Sequence, residues 1–141
     1  MTPPEPPTPE VSGWDWAGVA VLALCGLLTG LLETLLVPLY AGRYIVPLAV
    51  LLALVTNIVL PRMARALVPR TAAALAPFAG WLIVVFGFGV LSRPEGDVVL
   101  PGAPSSVELV TYGLLLGGAL AGTATVVWLS PPPAMKERLN R

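Results

Sequence analysis

Four stretches of this chain, 16–37, 44–60, 71–91 and 107–129, carry only two carboxylates, Glu33 and Glu108, and no Lys or Arg. At 1.5 Å per helical residue they rise about 25–35 Å, the range needed to cross a bilayer core of about 30 Å. No other feature restricts the fold as tightly. In lipid every backbone polar group must be satisfied within the protein, and helix is the structure in which one segment does this alone. The reading is an all-α polytopic membrane protein, a four-transmembrane-helix bundle occupying 16–130. Charged residues make up 11% of the chain and mean hydropathy is +0.83, too little charge to cover a water-facing surface.

The flanks differ in kind. Residues 1–15 hold Pro3, Pro4, Pro6, Pro7 and Pro9, a pattern that excludes helix and predicts an extended, disordered tail. Residues 131–141 follow Pro131-Pro-Pro133 and form a basic tail with Lys136, Arg138 and Arg141. Four spans put both tails on one side. Lys and Arg number six on that side, counting Arg62, Arg65 and Arg70 between spans two and three. The other side has two, Arg43 and Arg93. The positive-inside rule predicts N-in/C-in, with multi-pass residence in a bacterial inner membrane.

Composition removes whole classes of chemistry. The chain has no His, and its one Cys, Cys25, lies inside an apolar run. No metal site, no cofactor and no Cys–His or Ser–His nucleophile pair is expected. The net charge is zero, with no basic stripe for nucleic acid. The expected partners are the bilayer and, through glycine-rich helix faces, a larger membrane complex or a second copy. Gly26 and Gly30 in span one, and Gly113, Gly117, Gly118 and Gly122 in span four, form small-residue rows that let helices approach closely. Trp14, Trp16 and Trp128 mark interfacial belts. Pro61 is expected to end the second helix, and Ser105 to N-cap the fourth with Glu108 at the third position of a capping box.

The polar candidates gather at the end away from the tails. Glu33 lies five residues before Pro38, about 7 Å below the expected end of span one. An ionisable group inside a span is a functional candidate, and its simplest partners are Arg43, Arg93 or the headgroups. The loop Arg93-Pro-Glu-Gly-Asp-Val-Val-Leu-Pro-Gly102 adds Glu95 and Asp97, and its turn chemistry favours an ion-paired connector between spans three and four. Glu95 and Asp97 stand two apart with no third ligand, base or nucleophile, so an enzyme is not expected.

That loop, between a third and a fourth span, together with Tyr112-Gly113 and Gly117-Gly118, resembles a group of small actinobacterial four-helix membrane proteins of unknown function. The resemblance implies a membrane protein of that lineage and no particular activity. The residues themselves favour a non-enzymatic accessory or scaffold component of the cell envelope. The alternative is a small proton- or cation-coupled transporter using Glu33, in outline like the small multidrug resistance exporters, although the aromatic pattern around that family's acid is missing here.

Overall fold

The computed structural model describes residues 10–37, 39–41, 44–90 and 105–130, with backbone alone at 89–90 and 105–106. Helix α1 runs Gly13–Leu36, α2 Leu48–Leu67 and α3 Thr71–Val90. Helices α4, Ser105–Tyr112, and α5, Gly118–Leu129, form one rod joined by a π turn over Gly113–Gly117. Between α1 and α2, strands β1, Tyr40–Ala41, and β2, Tyr44–Ile45, make a short antiparallel hairpin with Tyr40 opposite Ile45. Four helices, Gly13–Leu36, Leu48–Leu67, Thr71–Phe88 and Val107–Leu129, are long and apolar enough to cross a membrane.

Side-chain size is sorted as lipid requires. The interior is lined by small residues, among them Ala49, Ala53, Ala64, Ala73 and Ala74, while Leu24, Leu28, Leu35, Ile83, Leu116 and Leu120 point outward. Water would drive those large groups inward; lipid leaves close packing as the main determinant.

Contacts between helices give their directions. Gly26 meets Pro77 and Gly30 meets Trp81, so α1 and α3 run parallel. Gly18 meets Leu67 and Glu33 meets Thr56, so α2 runs against α1. Gly113 lies on Val50 and Gly117 on Leu54, so α2 and the last rod run parallel in step. Phe78 faces Gly122 and Trp81 faces Gly118, so α3 opposes the last rod. The result is an up-down-up-down bundle in which α2 and α3 separate α1 from the last rod. One end carries the hairpin; the other carries the first residues of α1 and the last of α5.

Four element boundaries depart from the sequence reading. Helix α1 starts at Gly13, not Trp16, because Ser12 and Asp15 form a reciprocal capping box. Asp15 Oδ2 accepts from Ser12 N at 2.8 Å and Ser12 Oγ accepts from Asp15 N at 3.4 Å. Helix α2 starts at Leu48, since Tyr44 and Ile45 are taken up by β2. Pro61 does not end α2, which continues to Leu67 with Pro61 buried inside it. Proline costs the bond to the carbonyl four residues back, here that of Asn57, but its φ suits a helix and packing neighbours can hold the turn. Helix α4 already includes Ser105, so the first helical residue is the one expected as its cap.

Because the Ser12 cap is exposed, its loss should act locally. Ser12→Ala is expected to cost about 1 kcal/mol, read as faster amide exchange over Trp14–Ala17 with no change in the core helices. Unaltered exchange there would show that the cap does not hold the α1 terminus.

Candidate functional site

Glu33 is fully buried, at 0% exposure. Its carboxyl group lies where α1, α2 and α3 meet, and each oxygen has a different partner. Trp81 Nε1–H donates to Oε2 at 2.6 Å, and Thr56 Oγ1 lies 2.8 Å from Oε1. Trp81 and Thr56 are its partners among the described residues. Arg43, Arg93, Glu95 and Asp97 fall outside the described residues.

The acid also sits deeper than a count from Pro38 suggests. Thr56 is eight residues into α2, about 12 Å from its start, and Trp81 is nine residues from the end of α3, about 13 Å. Both are near the middle of their helices. A helical side chain leans toward the N-terminus of its own helix, and for α1 that direction leads into the bundle. Helix α1 therefore presents the carboxyl group below its own backbone position.

The surroundings hold this geometry. Trp81, 1% exposed, stacks near-parallel on Phe78, with ring centroids 6.2 Å apart and planes 15° apart. Gly30 on α1 and Gly118 on α5 face opposite parts of the indole, and a Cβ on Gly30 would come within 3.3 Å of Trp81 Cδ1. Thr34 Oγ1–H donates to Gly30 O at 2.7 Å, and Asn57 Nδ2–H donates to Ala53 O at 3.0 Å, so these two buried polar groups are spent on their own helices. The π turn of the last rod ends at Gly117, next to the glycine against Trp81. Along a regular α-helix a row stepping by four drifts about 40° per step. The wider turn offsets part of that drift and keeps Leu114 and Gly118 buried together.

The glycines singled out in the sequence are thus mostly used within the chain. Gly26 packs on the Pro77 backbone, Gly30 and Gly118 on Trp81, and Gly122 on Phe78, while Gly113 and Gly117 lie against Val50 and Leu54 of α2.

Chemically, the site turns on one hydrogen atom. Thr56 Oγ1 lies 2.8 Å from Glu33 Oε1 and 3.0 Å from Leu52 O, and a hydroxyl has a single proton to give. With Glu33 ionised, Thr56 donates to the carboxylate. With Glu33 protonated, the acid donates to Thr56, whose O–H turns to the Leu52 carbonyl. Trp81 can only donate and serves both forms. Among the described residues no group of three or more His, Cys, Asp or Glu is placed to hold a metal ion. In the sequence Thr56 is a hydroxyl toward the far end of the second span and Trp81 an indole at the centre of the third. An indole N–H away from the interfacial belts needs a buried acceptor, and Glu33 was the one acid well inside a span.

Comparison with protein-family models, with curated proteins and with solved structures gives no match to this chain.

Proposed function

We infer that this chain is a non-enzymatic multi-pass protein of a bacterial inner membrane, both tails cytoplasmic, that serves as an accessory component of a larger membrane assembly. One observation carries this reading. The polar centre is closed: Glu33 is fully buried, each oxygen has its partner, and the grooves flanking the last rod are lined by other residues. Such an acid works as a latch between helices. The resemblance of 93–102 to small actinobacterial four-helix proteins agrees with this proposal, though that segment lies outside the described residues.

Because the inward glycine rows are occupied, docking would use the outward Leu and Ile side chains. The protein is expected to migrate with a larger assembly after mild detergent extraction of native membranes. A lone monomer under every gentle condition would overturn the accessory role.

A second reading, proton-coupled transport, is favoured by the Thr56 hydroxyl, which has an acceptor for either protonation state of Glu33. It predicts that vesicles containing the protein show proton-driven cation efflux and that Glu33→Gln abolishes it. Flux unchanged in that variant would end this reading and leave the latch.

A further inference from the structure

At the end of the bundle that carries the α1 N-terminus, α2 and α5 run side by side and leave a groove of about 200 Å³. Its walls are Ile58, Arg62, Ala121, Ala124, Thr125 and Trp128. The two helices keep step here, as they do at Val50–Gly113 and Leu54–Gly117, so Ile58 stands level with Ala121 and Arg62 with Thr125. The alanines keep the trough open. Arg62 is exposed at its mouth, and Trp128, at 85% exposure, stands beside it.

One helical turn beyond Arg62, Arg65 has its Nη1 shut off from solvent with no hydrogen-bond partner among the described residues. A guanidinium nitrogen so placed is costly unless an acceptor reaches it. The stretch 58–70 contains Arg62, Arg65 and Arg70 and no acid. At the same end Asp15 is engaged with its own cap, and Thr125 Oγ1–H already donates to Ala121 O at 2.7 Å. The protein thus offers donors and positive charge at this point, beside an apolar trough that faces lipid. Tryptophan and arginine side by side at a span terminus mark the headgroup level.

We propose that this groove is a binding site for an anionic phospholipid, with its phosphate on Arg62 and Arg65 and an acyl chain along Ile58, Ala121 and Ala124. A phosphodiester supplies the acceptors that the two guanidinium groups lack, and a hydrocarbon chain fills the trough that water would not. The site does not depend on which side of the membrane this end faces.

The test is native mass spectrometry of the full chain released from vesicles of equal parts phosphatidylcholine and phosphatidylglycerol. The wild type is expected to retain phosphatidylglycerol preferentially. Arg62→Gln, at an exposed position where folding is not at risk, is expected to lower that preference about fivefold, and Arg65→Gln by a similar factor. Arg70→Gln, in the turn beyond the groove, is expected to leave it unchanged, as is added inorganic phosphate. Equal retention of the two lipids overturns the proposal. So does an effect of Arg70→Gln as large as that of Arg62→Gln, which would mean general attraction to a charged surface. Displacement by inorganic phosphate overturns the lipid as occupant. Retention unchanged in Arg65→Gln, with the fold intact, likewise overturns a phosphate held by both arginines.

Discussion

Glu33→Ala is expected to destabilise the bundle by about 2–4 kcal/mol, while Glu33→Gln stays within about 1 kcal/mol of the wild type. The two substitutions separate shape and hydrogen bonding from charge. Alanine leaves a void between three helices and removes the acceptor of the buried Trp81 N–H. Glutamine fills the same volume. Its oxygen accepts from Trp81, and its amide donates to Thr56, whose own hydroxyl then turns to Leu52 O. Glutamine therefore copies the protonated acid. Trp81→Phe should resemble the alanine variant in direction, since it removes the donor and leaves Oε2 without its partner. The measurement is unfolding of the purified protein in mixed micelles as the denaturing detergent fraction rises, followed by near-ultraviolet dichroism. An alanine variant as stable as the wild type would refute the latch.

The second large effect is expected at Gly26. A Cβ there would land on the carbonyl oxygen of Pro77, a backbone atom that moves only if α1 and α3 separate. Proline adds to the constraint: lacking an N–H, Pro77 leaves the Ala73 carbonyl without its usual helical partner, so this turn of α3 depends on its neighbours. Gly26→Val is expected to cost about 3 kcal/mol or more, enough to abolish accumulation of folded protein. Gly113→Ala provides the contrast. Its Cβ would come 3.0 Å from Val50 Cγ2, one methyl group on the side facing the last rod, and a shift of a few tenths of an ångström relieves it. A cost below about 1 kcal/mol is expected there. Fluorescence-detected size exclusion of the tagged variants, heated in detergent, ranks the two. Equal profiles for Gly26→Val and Gly113→Ala would contradict the packing described for α1 and α3.

The spans were legible in the sequence because lipid constrains composition directly: a run such as 71–90, with no ionisable side chain, has few other fates. Their ends were less so. Ser12 and Asp15 carry a capping signal, but it follows a proline-rich leader that argues against order so close by. Pro61 was expected to stop α2 because proline usually does, and the outcome depended on packing around a fully buried ring. The partners of Glu33 are a matter of tertiary structure. Residues 23 and 48 positions away in the chain supply them, and no local pattern encodes that meeting. What the sequence did contain was one acid well inside a span, a hydroxyl toward the far end of the second span and an indole at the centre of the third, the last two with hydrogens to give.

Pro61 separates the two polar centres of α2. On one side Thr56 holds the carboxyl group of α1; on the other Arg62 and Arg65 stand at the membrane edge. The rung missing between Asn57 and Pro61 weakens the ladder there, but Pro61, Ala64 and Val68 are all fully buried, so packing keeps the arginine-bearing segment in line with the helix that clasps Glu33. A lipid settling against that rim would therefore meet arginines whose helix is held in place by its own buried face.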